Sequence, residues 1–211
     1  MNDDALRIQI IEHARAFKTS GLSAGTSGNI SVLCGDTVLI TPSGLSYEDM
    51  KPVDLVVLDR EGKVISGYRK PSSEWRFHRD IYNERDDVRA IVHVHPPYAT
   101  AIACTREDIP AFHYMIARAG GDSIRCGQYA TFGTAELSAN VLKALHGRTA
   151  CLLANHGAIA VGPDLPAAFA MAVETEELAR HYYLSRQFGT PILLGEEEMA
   201  RILEKFKSYG A

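Results

Sequence analysis

The segment that most restricts the fold runs from residue 90 to residue 97 and reads Ala-Ile-Val-His-Val-His-Pro-Pro. Its apolar residues predict a buried strand, in which successive side chains point to opposite faces of a sheet. His93 and His95 therefore lie on the same face and can bind one ion, because imidazole is a common metal ligand. Pro96 and Pro97 lack backbone donors and end the strand beside this pair. The alternative is that both histidines are simply polar residues that face water.

Composition narrows the class of protein. A chain of 211 residues, of which 46% are apolar, is long enough to bury a sizeable core and fits one domain spanning residues 1–211. The net charge of -4 comes from interspersed carboxylates, so we expect no nucleic-acid groove and no membrane-binding face. No apolar run reaches transmembrane length, and the acidic start is unlike a signal peptide. We therefore expect a cytoplasmic protein whose partners are small molecules or like subunits.

Cysteine spacing predicts no disulfide framework. The four cysteines are scattered, and we expect buried free thiols at Cys34, Cys104, Cys126 and Cys151. A structural zinc site would need closely spaced Cys or His pairs at both ends of its loop, and only the His93/His95 pair qualifies. Any metal in this chain is therefore expected to be catalytic.

Apolar periodicity and turn signals predict the order of the elements. Helices are expected before Gly21 and at residues 74–83, 97–104, 134–146, about 165–187 and 196–207, and strands at 30–34, 37–41, 55–58, 63–65, 89–94, 149–154 and 158–161. Residues 109–132 show no clear period and are expected to form only short strand pieces and loops. Because there is no regular βαβ alternation, the prediction is a mixed α/β fold with a largely antiparallel sheet covered by helices.

Two further residues are candidate metal ligands. His156 interrupts an apolar strand, and Glu74 follows two serines at the start of a predicted helix. Each has an ordinary alternative, which is a hydrogen-bonded core histidine for His156 and favourable charge at a helix N-terminus for Glu74. Together with His93 and His95 they give three imidazoles and a carboxylate, a set that suits Zn²⁺. A carboxylate that can leave the metal would open a catalytic position.

Three loops rich in hydroxyl groups are candidate binding sites for an oxyanion. They span residues 26–29, 41–44 and 71–73, and the last opens a helix, whose dipole favours a phosphate. None of them contains the lysine of a P-loop, so a phosphate would be held mainly by neutral donors. Ordinary turn composition is the alternative for each loop.

Taken together, these segments resemble the class II aldolase/adducin family over nearly the whole chain. The segments that carry the resemblance are residues 25–31, 39–44, 71–78, 109–117 with His113-Tyr114-Met115, 129–134, 204–210, the His93/His95 pair and His156-Gly157. The resemblance implies a metal-dependent aldehyde-lyase that splits a ketose 1-phosphate such as L-fuculose 1-phosphate. The products would be dihydroxyacetone phosphate and a small aldehyde such as L-lactaldehyde.

The resemblance also implies roles for individual residues. His93, His95 and His156 would bind one Zn²⁺, with Glu74 as a fourth ligand and as the base of the reaction. Tyr114 would act as the acid in the site of a neighbouring subunit within a cyclic homotetramer. The phosphate would be bound by Gly28, Asn29, Ser43, Gly44, Ser72 and Ser73, and the aldehyde end would be shaped by Phe132, Phe206 and Tyr209.

Two alternative functions stay open at this point. Relatives could use the same metal as an epimerase, a dehydratase or an aldolase on ribulose phosphate, 5-deoxyribulose 1-phosphate or methylthioribulose 1-phosphate. The aldehyde is open because Pro96-Pro97-Tyr98 and Ser43 depart from the pattern of the members that act on L-fuculose 1-phosphate. A non-catalytic interaction module like the adducin head would lack the metal ligands, whereas all four candidates are present.

Overall fold

The computed structural model describes residues 3–207, and its elements follow the predicted order. The N-terminal helix α1 (Asp3–Thr19) buries the predicted apolar stripe, including Ile10 and Phe17. The elements that follow are β1 (Asn29–Cys34), β2 (Thr37–Ile40), β3 (Val56–Leu58), β4 (Val64–Ser66), α2 (Trp75–Glu84), β5 (Ala90–Val94), α3 (Pro97–Thr105), β6 (Cys126–Gly127), α4 (Ala135–Leu145), β7 (Ala150–Leu153), β8 (Gly157–Gly162), α5 (Leu165–Phe188) and α6 (Glu196–Phe206). Short 3₁₀ segments lie at Pro52–Asp54 and Tyr114–Ala119.

The strands of the described range form one eight-stranded sheet in the order β4-β3-β2-β1-β5-β8-β7-β6. Neighbouring strands pair antiparallel, except β6 and β7, which pair in parallel. The predicted mixed α/β fold with a largely antiparallel sheet covered by helices is therefore confirmed. The histidine-bearing strand β5 lies near the middle of the sheet, between β1 and β8.

Helices cover both faces of the sheet, and strand alternation decides which face each side chain meets. On β5, Ala90, Val92 and Val94 pack into the hydrophobic cluster that contains residues of α1, α3 and α5. Ile91 points the other way, into the cluster that contains residues of α2 and α4. His93 shares the face of Ile91, so its ring points toward the layer of α2.

Two predictions differ in detail from the structure. Helix α2 begins at Trp75, so Glu74 is the residue before the helix and does not lie in its first turn. The loosely assigned residues 109–132 contain one 3₁₀ segment, the short strand β6 and a bridge between Ile109 and Ile124. No helix within residues 3–207 combines the length and apolar character that crossing a bilayer requires.

The prediction that the cysteines are free and buried is only partly right. All four cysteines are free, as predicted, but the prediction that all four are buried is wrong, because only Cys151 is buried. Cys34 and Cys126 are half-buried, and Cys104 is exposed. Cys104 lies in the last turn of α3, on the side away from the buried Ala99, so solvent reaches it.

Candidate metal centre and substrate cavity

The four candidate metal ligands meet at one end of the central strands. Glu74, His93, His95 and His156 each offer one ligand atom, and these atoms all lie within 4.8 Å of one another. His93 and Glu74 are buried, whereas His95 and His156 are half-buried and face the opening. Residues from three distant parts of the chain thus form one cluster.

Backbone pairing brings these residues together. In the register of β1 and β5, Asn29 lies opposite His93, and on the other side of β5, Ala158 of β8 lies opposite Val94. The turn between β7 and β8 therefore ends beside the end of β5, and it carries His156. Asn155 in this turn adopts a left-handed backbone with φ 55°, a conformation that Asn tolerates better than most residues.

The hydrogen bonding of His93 fits a cation at the centre of the cluster. Its Nδ1 donates to the carbonyl oxygen of Ala158 at 3.0 Å, so a neutral His93 has no hydrogen on Nε2. That Nε2 nevertheless lies 3.0 Å from Glu74 Oε2 and 2.9 Å from His95 Nε2. His93 Nε2 and Glu74 Oε2 are both acceptors, and acceptors this close require a cation beside them. That cation can be a proton or a metal ion. A backbone carbonyl on the second ring nitrogen is also the usual way a metal-binding histidine is oriented.

Glu74 supplies a carboxylate oxygen without a hydrogen-bond partner. Its Oε1 is buried and lies 3.2 Å from His156 Nε2, but it accepts no hydrogen bond. Burial by itself raises the pKa of Glu74, but attraction and hydrogen bonding from His93, with attraction from His156, outweigh it and lower that pKa to about 2. The carboxylate is turned toward the histidines and makes no cap hydrogen bond to α2.

The two half-buried histidines are in the neutral form that metal binding requires. Burial is the main cause that lowers the pKa of His95 to about 3 and that of His156 to about 4, and repulsion from His93 adds to it. Three imidazoles and an ionised carboxylate therefore form a donor set that fits a divalent metal ion.

A cavity of about 350 Å³ opens on this cluster. The cavity is lined by all six residues expected at the phosphate, which are Gly28, Asn29, Ser43, Gly44, Ser72 and Ser73. Phe132, expected at the aldehyde end, also lines it. Among the described residues that line it there is no lysine or arginine, so an anion bound there would meet neutral donors. Sequence reasoning missed Tyr129 and Asn155 as lining residues, although both lie in segments that carried the family resemblance or the strand break.

Two backbone hydrogen bonds hold the loops of this cavity side by side. The N–H of Ser43 donates to the carbonyl of Lys70 at 3.0 Å, and the N–H of Ser72 donates to the carbonyl of Thr41 at 3.0 Å. The N–H groups of Gly44 and Ser73 have no acceptor within the described residues. Helix α2 starts two residues after Ser73, so free donors and a helix N-terminus lie beside the same cavity, an arrangement that binds anions.

Two other predicted site residues lie away from the metal-site cavity. Tyr114 and Phe206 line a separate cavity of about 830 Å³, and neither lines the cavity at the metal cluster. The side chain of Tyr114 is 51% exposed. Tyr209, which was expected at the aldehyde end, lies outside the described residues. Within one chain, the structure does not bring Tyr114 or Phe206 together with the histidines.

Comparison with known proteins identifies relatives over nearly the full length. The model of the family "Class II Aldolase and Adducin N-terminal domain" matches residues 8–183. The chain is 57% identical to the 5-methylthioribulose-1-phosphate/5-deoxyribulose-1-phosphate aldolase of Rhodospirillum rubrum, covering 98% of this chain and 93% of that protein. It is 46% identical to the L-fuculose phosphate aldolase of Escherichia coli, covering 100% of this chain and 98% of that protein.

A solved structure gives the same result for the fold. The structure of an L-fuculose 1-phosphate aldolase superposes with a TM-score of 0.94 at 44% sequence identity. The superposition covers 98% of this chain and 97% of the other.

Proposed function

The chain belongs to the class II aldolase/adducin family and is an aldolase, and from that premise we propose that it splits a ketose 1-phosphate reversibly, with Zn²⁺ as its metal. The products are dihydroxyacetone phosphate and a small aldehyde. One observation carries the proposal: the Glu74 and histidine cluster opens on a cavity whose other wall is a set of neutral donors at the start of α2. A metal and a phosphate bound there would hold the two ends of dihydroxyacetone phosphate.

Zinc is proposed because of the type of the ligands. Catalytic zinc sites have three protein ligands and keep a fourth position for water or substrate, which three histidines and a carboxylate that can leave would provide. When bound, the ion supplies Lewis-acid chemistry that stabilises the negative charge developing beside the substrate carbonyl. His93, His95 and His156 would hold it, with Glu74 as the fourth ligand of the substrate-free site.

Glu74 is proposed as the base. Its pKa of about 2 keeps it ionised at neutral pH, and its unpartnered Oε1 is free to accept a proton. Asn29 Nδ2 donates to the other oxygen, Oε2, at 3.1 Å and so fixes the direction of the carboxylate. In the synthetic direction, Glu74 takes the proton from the carbon of dihydroxyacetone phosphate that forms the new bond.

Tyr114 is proposed as the acid for the alkoxide of the aldehyde, acting in the site of a neighbouring subunit. Two observations support this role: the side chain is exposed, and it does not line the metal-site cavity of its own chain. An exposed phenol can reach a second copy of the chain, and a closed ring such as the proposed homotetramer would complete every site. Phe206 and Tyr209 would shape the aldehyde end of that shared site.

A cytoplasmic location stays a prediction.

The aldehyde end distinguishes two candidate classes of substrate. L-fuculose 1-phosphate is the first, because the chain is similar along its full length to aldolases named for it. The 57% identity to an aldolase named for 5-methylthioribulose 1-phosphate and 5-deoxyribulose 1-phosphate favours these pentulose phosphates as the second. Phe132 and Tyr129 are both exposed and line the cavity, and their aromatic rings would suit a methyl or methylthio tail.

The function is tested by product analysis. The zinc-loaded protein is incubated with each of the three ketose 1-phosphates, and the products are identified by NMR. We expect dihydroxyacetone phosphate and the matching aldehyde in equal amounts, and the kcat/KM values rank the substrates. A chelator-treated sample is the control. Formation of an epimer or a dehydrated sugar without dihydroxyacetone phosphate would contradict the proposal and favour an epimerase or a dehydratase.

A further inference from the structure

A chain of buried polar side chains leads from helix α2 to the metal cluster. Tyr82 Oη lies 2.8 Å from Ser31 Oγ, which in turn lies 2.7 Å from His78 Nδ1. His78 Nε2 lies 2.5 Å from Asn29 Oδ1, and Asn29 Nδ2 lies 3.1 Å from Glu74 Oε2. None of the five residues is more than 5% exposed. No step of the proposed reaction uses His78, Ser31 or Tyr82.

The hydrogen bonds of this chain run in one direction. Asn29 Nδ2 lies 3.1 Å from the carboxylate oxygen Oε2 of Glu74, which accepts, so Asn29 presents its amide nitrogen to Glu74. The amide oxygen of Asn29 then faces His78 and can only accept, so His78 carries its hydrogen on Nε2. Burial lowers the pKa of His78 to about 3, which keeps the ring neutral, and its Nδ1 accepts from Ser31. Ser31 in turn accepts from Tyr82.

We propose that His78 is a positioning residue of the aldolase site, which acts through Asn29 on both the base and the phosphate. The inference rests on the proposed function. By binding the amide oxygen of Asn29, His78 leaves both Nδ2 hydrogens of this residue to donate to other groups. One hydrogen bonds to Glu74, and the other is available to an oxygen of the substrate phosphate, because Asn29 also lines the cavity in which the phosphate is proposed to bind.

The energetic reason is that Glu74 and the substrate phosphate are both negative and would both repel the amide oxygen of a reversed Asn29 side chain. Without His78, the side chain of Asn29 can rotate and place its oxygen against the carboxylate of Glu74. The same rotation would present an acceptor to the phosphate, which is also negative. Ser31 and Tyr82 hold the imidazole in the orientation that prevents this, and Phe77 stacks on its ring with centroids 4.7 Å apart.

The alternative is that His78 is only a hydrogen-bonded core histidine. Two substitutions separate the two roles. His78→Gln keeps a donor near the position of Nε2, whereas the shorter side chain of His78→Asn can reach Ser31 but not Asn29. We expect His78→Asn to raise the dissociation constant of inorganic phosphate and the KM for the ketose 1-phosphate on the order of tenfold. His78→Gln is expected to restore most of this loss.

Isothermal titration calorimetry of the zinc-loaded protein gives the dissociation constant of inorganic phosphate, and thermal unfolding is followed in parallel. Ser138→Ala is the matched control, because it removes a partly buried hydrogen bond to Asp80, which lies on α2, but does not touch the cavity. It should lower Tm without changing phosphate affinity. If His78→Asn lowers Tm but leaves phosphate affinity at the native value, His78 is a structural residue and the proposal is overturned.

Asn29→Ala distinguishes failure of this inference from failure of the proposed function. If Asn29→Ala does not weaken phosphate binding, the proposed phosphate site is wrong and the inference falls with it. If Asn29→Ala weakens binding and His78→Asn does not, only the inference is overturned. We expect the double variant to bind phosphate no more weakly than Asn29→Ala alone, since His78 acts through Asn29. Additive losses would contradict this coupling.

A measurement on the unmodified side chains covers the case in which His78→Asn does not fold. Histidine labelled with ¹⁵N reports the tautomer of each ring by NMR. We expect the His78 signals, assigned by their loss in His78→Gln, to show a hydrogen on Nε2 and none on Nδ1 at neutral pH. A hydrogen on Nδ1 would reverse the direction of the chain and overturn the proposal.

Discussion

Gly157 lies directly against the imidazole of His95. A Cβ atom added to Gly157 would be 2.7 Å from the ring atom Cδ2 and 2.4 Å from the carbonyl oxygen of Val94. Both distances are shorter than van der Waals contact, so any side chain at this position must displace the ring or the end of β5. The orientation of His95 therefore depends on the absence of a side chain at Gly157, the residue that follows the ligand candidate His156.

We expect Gly157→Ala to lower zinc affinity by about 10–100-fold, the usual effect of disturbing the residues that orient a ligand. The affinity is measured by competition with a chelating dye. Gly195→Ala is the control, because its added methyl group meets nothing within 4 Å. Native zinc affinity in Gly157→Ala would show that His95 is not held by this contact or does not bind the metal.

Replacing Glu74 by Gln tests the base. We expect the Glu74→Gln protein to fold and to keep most of its zinc, but to turn over about 10²–10⁴-fold more slowly, which is the usual contribution of a positioned general base. Steady-state kinetics and elemental analysis measure the two quantities. Near-normal turnover with a lowered Tm would instead assign Glu74 to helix stability alone.

The serines at the start of α2 test phosphate recognition. We expect the double variant Ser72→Ala, Ser73→Ala to raise the KM for the ketose 1-phosphate much more than for the same sugar without phosphate. The remote phosphate supplies binding energy that places the reacting carbons, so the unphosphorylated sugar should be a poor substrate of the native protein. Ser66→Ala, on the exposed strand β4, is the control. Equal kcat/KM for the sugar and its phosphate would refute the assignment.

Tyr114 is tested by mixing two inactive proteins. Tyr114→Phe keeps the histidines, and His95→Ala keeps the tyrosine, so subunit exchange places an intact metal site next to an intact Tyr114 at some interfaces. We expect activity to reappear in the mixture, while native mass spectrometry confirms exchange. If exchange occurs and no activity returns, Tyr114 serves its own subunit or is not the acid.

Asp54 predicts how stability depends on pH. Burial by itself raises its pKa, but hydrogen bonds from Tyr68, Arg69 and the backbone of Lys51 outweigh burial and lower that pKa from 3.8 to about 2. The folded protein thus binds this proton more weakly than the unfolded chain, so acid favours unfolding. We expect the free energy of unfolding to fall as the pH drops from about 4 to about 2. Asp54→Asn should reduce this slope, and an unchanged slope would contradict the assignment.

The sequence predicted those parts of the site that a local pattern determines. Strand alternation was sufficient to place His93 and His95 on one face, since that period does not depend on the rest of the fold. Residue chemistry was sufficient to group Glu74 and His156 with them. The loops that line the cavity were recognisable because hydroxyl residues and glycine cluster where strands and helices meet.

Other parts depend on packing between distant residues, which a single sequence does not reveal. His78 lies 49 residues from Asn29, and nothing in its helical surroundings distinguishes a site residue from an ordinary core histidine. Tyr114 and Phe206 were recognised only through the family resemblance, and one chain does not bring them to the metal cluster. The exposure of Cys104 follows from where α3 ends and was missed for the same reason.

Strand order also has a consequence for how the chain acquires its metal. The central strand β5 pairs with β1 on one side and with β8 on the other, and these two neighbours come from opposite halves of the chain. During synthesis, the nascent chain contains Glu74, His93 and His95 well before His156 has been made. A complete ligand set therefore forms only after β8 has joined β5, a late, long-range pairing of the kind that slows folding. The metal ion would bind the finished sheet in preference to any intermediate, and its supply in the cell would shift the folding equilibrium toward the native state.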